Sequence, residues 1–287
     1  MEIIKNYRDN KELRDSFNKL AEATFGLNFE GWYQNGYWGE NYNPYSIVVD
    51  GKVVSNVSVN KTNMLINGEV KHFLQLGTVM TYEEYRNRGY IRMIMDEIIF
   101  EFEGKVDGMY LFANDSVCEF YPKFGFVESK EYQYSRCMDQ DHTNQMIKYI
   151  MDGPEAWKEL ERVMNQNVFH GQFDMVENNE LIMFYVTQFM NEEVYYHKES
   201  DTFVIAEIED GKAFVHNIFS STLSDIDTIL ELFGKEVKYS SLGFAPLNPE
   251  KYEVEELKED DCTFFIRGEE MQIVAEKKLR IPSLAHA

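Results

Sequence analysis

The chain has 287 residues, 44% hydrophobic and 27% charged, with 21 Phe, 18 Tyr and 14 Met. That mixture excludes a disordered or collagen-like chain and supplies apolar mass for one large or two ordinary domains. Its 28 basic and 50 acidic residues leave a net charge of −22, which repels phosphate backbones and so argues against nucleic-acid or anionic-membrane binding and favours a cationic ligand.

The charge is uneven. Residues 1–140 hold 15 basic and 21 acidic residues, a balance of −6, whereas residues 141–287 hold 13 and 29, a balance of −16. An anionic cofactor is better tolerated by the first half. Cys118, Cys137 and Cys262 are an odd, widely spaced set, which argues against a disulfide framework. The opening Met1-Glu2-Ile3-Ile4-Lys5 has no apolar leader run, and no stretch of 18 apolar residues exists. A cytoplasmic protein without a membrane span is expected.

Asp9 to Glu12 reads as a helix start with an acidic cap. Leu13, Phe17, Leu20 and Thr24 then give one buried face. Residues 25–45 are dense in aromatics (Trp32, Tyr33, Tyr37, Trp38, Tyr42) and either wall a pocket or pack over a domain edge. Asp50-Gly51 and Asn67-Gly68 sit between apolar runs and predict two hairpins. From Gly89 the period changes, and Ile91, Ile94, Met95, Ile98 and Phe102 follow helical spacing. Met109–Ala113 reads as a central strand after that crossover helix, Val117–Tyr121 as a short helix, and Phe126–Met138 as a further strand region.

The most informative stretch is Leu76-Gly77-Thr78-Val79-Met80-Thr81-Tyr82-Glu83-Glu84-Tyr85-Arg86-Asn87-Arg88-Gly89-Tyr90-Ile91. It runs from strand to turn to helix start. Backbone N–H groups without helical partners converge there with the positive end of the helix dipole, a setting that holds phosphate. The Walker and dinucleotide glycine patterns are absent. Arg86-Asn87-Arg88-Gly89-Tyr90-Ile91 resembles the Gln/Arg-x-x-Gly-x-Gly/Ala motif of the GCN5-related N-acetyltransferases, the GNAT superfamily, with Ile91 in place of a small residue. Leu111-Phe112-Ala113-Asn114 and Phe120-Tyr121-Pro122-Lys123-Phe124-Gly125-Phe126 resemble that family's late strand and Tyr-x-Lys-x-Gly-Phe segment. The likeness covers residues 1–138.

The resemblance implies an α/β fold with a mixed central sheet flanked by helices, and acetyl-CoA lying in a splay between two parallel strands. Val79, Met80 and Thr81 would offer backbone groups to the acetyl and pantetheine arm. Arg86, Asn87, Arg88, Gly89, Tyr90 and Ile91 would cradle the pyrophosphate, and Asn114 would flank the arm. Tyr121 matches the family's general acid, although a core position against Phe124 and Phe126 is the alternative. Glu40, Glu69, His72, Glu83 and Glu84 are candidate bases, none preferred.

In the second half Pro154, with Asp152 as cap, starts a helix bearing Trp157, Leu160, Met164 and Val168. Leu181–Phe189 is a helix or strand, and Asp210-Gly211 marks a hairpin between Phe203–Glu207 and Ala213–Phe219. Leu223, Ile226, Leu230 and Phe233 predict a short helix, and Val237–Leu242 a strand. Cys262–Ile266 is expected to pair with Met271–Ala275. This order repeats the first half and suggests a tandem GNAT-like duplication, or else a plain α+β accessory domain. Ser220-Ser221-Thr222-Leu223-Ser224 stands where the arginines and glycine would be, so the second copy is expected to be non-catalytic.

The expected layout is a catalytic domain over 1–140, a linker over 141–150 and a second domain over 151–287. The expected activity is direct acetyl transfer from acetyl-CoA to a primary amine of a small molecule or peptide. The expected cofactor is acetyl-CoA, as a cosubstrate, with no metal. A non-catalytic CoA sensor or interaction module of the same fold is the alternative, and a homodimer is the family-based expectation.

Overall fold

The computed structural model describes residues 2–139, 141–222 and 225–286. In chain order it runs β1 (Ile3–Ile4), α1 (Lys11–Phe25), α2 (Glu30–Gln34), β2 (Tyr42–Val49), β3 (Lys52–Ile66), β4 (Glu69–Thr81), α3 (Tyr90–Phe102) and β5 (Gly108–Ala113). Two 3-10 turns follow, Asp115–Val117 and Tyr121–Phe124, and then β6 (Val127–Glu128) and β7 (Tyr132–Cys137). The rest is β8 (Ile147–Lys148), α4 (Pro154–Met164), β9 (Phe173–Val176), α5 (Asn179–Gln188), β10 (Val194–His197), β11 (Thr202–Glu209), β12 (Lys212–Ser220), α6 (Ile226–Glu231), β13 (Tyr239–Leu242), β14 (Glu253–Glu256), β15 (Thr263–Arg267) and α7 (Ile273–Glu276).

The fold is α/β, with two mixed sheets flanked by helices. Asp50-Gly51 and Asn67-Gly68 turn β2 into β3 and β3 into β4, and every one of the four residues has positive φ, as tight hairpin turns require. Helix α3 carries the chain across the sheet, so that β5 runs parallel to β4. The first sheet is ordered β1-β2-β3-β4-β5-β15-β6, with β9 added on β3. The second is ordered β14-β7-β13-β12-β11-β10-β8. Its β12–α6–β13 crossover is parallel too, so the two sheets share one strand plan.

The two halves interleave. Strand β7, from the first half by sequence, pairs with β13 and β14 in the second sheet. Strand β15, from the second half, sits between β5 and β6 in the first. Strand β9 adds a third crossing by pairing Phe173–Val176 with Asn63–Ile66. A cut between 140 and 151 therefore severs both sheets.

Several local expectations need correction. Residues 262–266 do not pair with 271–275: β15 pairs with β5 and β6, and Ile273–Glu276 is helical. The continuous apolar run within Thr263–Arg267 fits the gap beside β5, where Phe264, Phe265 and Ile266 are all buried. The cap of α1 is Asn10, whose Oδ1 accepts from the Glu12 and Leu13 amides at 3.1 and 3.2 Å, while Asp9 accepts from Tyr33 Oη. Helix α4 is preceded by Gly153 without a side-chain cap, so Asp152 is not its cap. Leu181–Phe189 resolves as helix α5, capped by Asn178. Phe126–Met138 splits into β6 and β7, one per sheet. Leu223 and Ser224, part of the predicted α6 stripe and hydroxyl run, lie outside the described residues, as do Met1, Gln140 and Ala287.

Each buried apolar side chain of this size contributes about 1.5–3 kcal/mol. Phe264, Phe265 and Ile266 together are thus worth about 5–9 kcal/mol, as much as the whole net stability of many domains. The full chain is expected to unfold in one calorimetric transition, and residues 1–140 expressed alone are expected to show no cooperative melt. Two separated transitions in the full chain would contradict the interleaving.

Candidate active site

Strands β4 and β5 pair only over Phe73–Gln75 and Gly108–Tyr110. Beyond that point they part, and the space between them opens into a cleft of about 740 Å³. A bulge in β4 lies within the splay, just past the last pair with β5. Ser58 pairs with Gly77 and Asn56 with Met80, so Thr78 and Val79 have no register partner on β3. Thr78 has φ +47°, in the left-handed region.

A buried polar chain holds the bulge. Tyr7 Oη lies 2.7 Å from Ser46 Oγ, which donates to Asn56 Oδ1 at 2.7 Å. Asn56 Nδ2 then donates to Ser58 Oγ at 3.0 Å and to the Thr78 carbonyl at 2.9 Å. The Thr78 hydroxyl lies 2.6 Å from Tyr42 Oη. Asn56 is fully buried, and an unmade bond there would cost about 1–3 kcal/mol. The carbonyl is thereby drawn away from the ladder, and the edge carrying Val79 faces the cleft.

The far end of the cleft is the start of α3. Gly89 caps it at φ +77°, and Asn87 is also left-handed at φ +59°. A Cβ on Gly89 would meet nothing within 4 Å, so conformation rather than space requires the glycine. No side chain caps α3, whereas Asn10, Asn178 and Asp225 cap α1, α5 and α6. Its first amides are left for an anion. Arg86 Nε donates to the Thr81 carbonyl at 3.3 Å, and Arg88 donates to the Glu84 carbonyl at 2.7 Å with its guanidinium over Tyr85. Both arginines are thereby held along the cleft. These donors fit a pyrophosphate.

All the residues predicted from the sequence as cofactor contacts or general acid, except Met80, line this cleft: Val79, Thr81, Arg86, Asn87, Arg88, Gly89, Tyr90, Ile91, Asn114 and Tyr121. The Met80 side chain is buried in the cluster around Phe17, Phe29 and Trp38 instead. Ile91 contacts the wall and also packs with the apolar cluster of α3. Asn114 Nδ2 donates to Asp261 Oδ2 at 2.8 Å, and the Asp115 amide to Asp261 Oδ1 at 2.7 Å. Tyr121 is 4% exposed, packed against Phe120, Phe126 and Phe265. Burial pushes its phenol up to about 12, so it keeps its proton through the neutral range.

None of the candidate bases lines the cleft. His72 lies on the opposite end of β4, its Nδ1 2.8 Å from Asn63 Oδ1. The sequence reading missed Phe25, Tyr185 and His286, which do line it. His286 stacks on Phe112 with ring centroids 3.8 Å apart. Burial, with Arg280 and His216 nearby, pushes its imidazole down to about 3, so the ring is neutral at pH 7. No local signal could find these residues, because they reach the cleft from segments 50 or more positions away in the sequence.

The corresponding space in the second sheet is filled. Strands β12 and β13 pair over Lys212–Val215 and Tyr239–Leu242. Past them the Ser283 amide donates to the Gly243 carbonyl at 2.7 Å, and Ser283 Oγ lies 3.0 Å from His216 Nδ1. A Cβ on Gly243 would sit 2.4 Å from Ser283 Oγ and 3.1 Å from the His216 Cα. The chain itself fills the space past the paired ends of β12 and β13.

A family model for the acetyltransferase (GNAT) domain matches residues 8–128. The chain has the GNAT acetyltransferase fold. Among solved structures, a probable N-acyltransferase from Enterococcus faecalis V583 is 17% identical with a TM-score of 0.60, over 94% of this chain and 73% of the other. A GCN5-related N-acetyltransferase from Kribbella flavida is 13% identical with a TM-score of 0.56, over 93% and 72%. Eis1 from Mycobacterium abscessus is 11% identical with a TM-score of 0.54, over 92% and 72%. No curated protein matches. Among the described residues, no group of three His, Cys, Asp or Glu side chains is placed to hold a metal, and no helix is long and apolar enough to cross a membrane.

Gly89→Ala places a side chain at a left-handed position, which costs about 1 kcal/mol or more. For a protein of this size that lowers Tm by about 2–4 °C. Coenzyme A affinity, read by calorimetry, is expected to fall about tenfold in the same variant.

Proposed function

We propose that this chain is an N-acetyltransferase that moves the acetyl group of acetyl-CoA directly to a primary amine in a ternary complex. The observation that carries the reading is the uncapped start of α3 at one end of the β4/β5 splay and the buried, protonated phenol of Tyr121 in the same cleft. Acetyl-CoA supplies an acyl group activated as a thioester.

The chain's residues have distinct tasks in this reading. The first amides of α3, with Arg86 and Arg88, hold the pyrophosphate. The β4 edge at Val79 and Thr81 aligns the arm, and a bulge amide faces the carbonyl oxygen as charge builds on it. Asn114, fixed by Asp261, keeps its Oδ1 free to accept from an amide of the arm. The amine nitrogen, entering neutral, forms the new N–C bond as the C–S bond breaks. Tyr121 gives its proton to the departing sulfur. The proton shed by the new amide returns to the Tyr121 oxygen through water. The second half keeps no room for a further CoA and serves as a non-catalytic copy of the fold that completes this site.

Tyr121→Phe is expected to lower kcat by about 10²-fold or more while leaving the acetyl-CoA Kd within twofold. Because burial raises this phenol, its acid form persists to about pH 12. The wild-type rate is thus expected to rise with pH as the amine loses its proton, with no decline up to pH 10. Thiol release across an amine panel tests the whole reading. Tight acetyl-CoA binding with no release for any amine would favour a non-catalytic CoA sensor.

A further inference from the structure

Tyr121 sits in the stretch of chain between β5 and β6, which is built from two short 3-10 turns, Asp115–Val117 and Tyr121–Phe124. Its internal backbone bonds reach only three residues along, such as the Phe120 amide to the Val117 carbonyl at 2.9 Å and the Gly125 amide to the Pro122 carbonyl at 3.1 Å. Bonds of that kind have poorer geometry than α-helical ones, and Pro122 has no N–H to add. Further support comes from outside the stretch, from a strand of the other half of the sequence.

Strand β15 lies beside β5, with Thr263 opposite Ala113 and Arg267 opposite Met109. Thr263, Phe265 and Arg267 alternate along it and so share one face. Phe265 belongs to the apolar cluster of Tyr121, whereas Phe264 and Ile266 belong to the cluster on the other side. Each of the three meets the Tyr121 stretch at a different point. Thr263 Oγ1 donates to Asp115 Oδ1 at 3.2 Å near its start. The Phe265 ring lies 5.8 Å from the Tyr121 ring, centroid to centroid. Arg267 Nε donates to the Phe124 carbonyl at 3.2 Å, at the end of the turn.

Arg267 makes a second bond. Its Nη2 donates to Glu103 Oε1 at 2.9 Å, and Glu103 directly follows α3. The rigid fork of a guanidinium can serve two acceptors at once, and its charge strengthens both bonds. The Tyr121 turn is thereby tied at its far end to β15 and to the helix whose first amides face the cleft. Neither Arg267 nor Glu103 lines that cleft.

Resting on the acetyl-transfer reading, we propose that Arg267 is a positioning residue for Tyr121: by holding the Phe124 carbonyl against the end of α3, it sets where the phenol stands relative to the departing sulfur. Displacing a reacting group by about 1 Å can cost about 10²-fold in rate. Coenzyme A binding, in contrast, rests on donors that Arg267 does not touch.

The test measures thiol release by the full-length protein from acetyl-CoA with n-propylamine, 2-phenylethylamine and spermidine, using the best of the three for every variant, together with the calorimetric Kd of coenzyme A. Arg267→Ala is expected to lower kcat at least about tenfold and leave the Kd within about twofold. The Glu103 side chain is 66% exposed, so Glu103→Ala keeps the fold. It is expected to lower kcat about fivefold by loosening the guanidinium. A double-mutant cycle decides the matter. In a Tyr121→Phe background both substitutions are expected to change kcat by less than about twofold, because the proton donor they position is gone. A residue that only supports the fold would slow Tyr121→Phe by the same factor as the wild type, and that result would overturn the inference while leaving the role of Tyr121 intact. So would a wild-type kcat in both Arg267→Ala and Glu103→Ala. Coenzyme A binding without thiol release from wild type with any of the three amines would overturn the acetyl-transfer reading and this inference together.

Discussion

The geometry of the site rests on one buried amide. Asn56 lies in the middle of β3 with no solvent to satisfy it, and its Nδ2 reaches the Thr78 carbonyl. That bond holds the β4 bulge at Thr78–Val79, which lies just beyond the last ladder pair between β4 and β5. A β-bulge increases local twist and bends its strand, so three ladder pairs are all that join the parallel strands before they separate. The cleft follows from this departure: without it the two strands would close along their length, and the start of α3 would face packed sheet.

The second constraint is the exchange of strands. Because β15 inserts beside β5, residues far along the chain reach the cleft. Asp261 fixes Asn114, Phe265 packs on Tyr121, and Tyr185 and His286 form part of the wall. The same tail that brings His286 to the first cleft plugs the second one through Ser283 and His216. One segment thus lines the cleft of the first sheet and fills the space beyond β12 and β13 in the second, so the two similar sheets differ in what lies past their parallel strands.

Much of the first half was legible because its signals are local. Asp50-Gly51 and Asn67-Gly68 name their own turns, the switch to helical spacing after Gly89 announces α3, and the left-handed glycine with flanking arginines marks an anion cradle. The aromatic segment was half legible: Trp32 and Tyr42 wall a second pocket beside Thr78, while Trp38 packs in the core and Tyr37 against Trp157. What sequence could not show was non-local. Nothing in Thr263–Arg267 says that its partner is β5 rather than the neighbouring 271–275 segment, because both pairings bury the same side chains. His286 was invisible for the same reason, since a histidine near Phe112 in space is 174 positions away in sequence.

Hydrogen–deuterium exchange of the full chain with and without coenzyme A tests most directly whether the splay beside α3 is where the cofactor lies. The account predicts slowed exchange across residues 78–91, with residues 212–222 of the plugged second sheet unchanged. Unaltered exchange at residues 86–91 under saturating coenzyme A would contradict it.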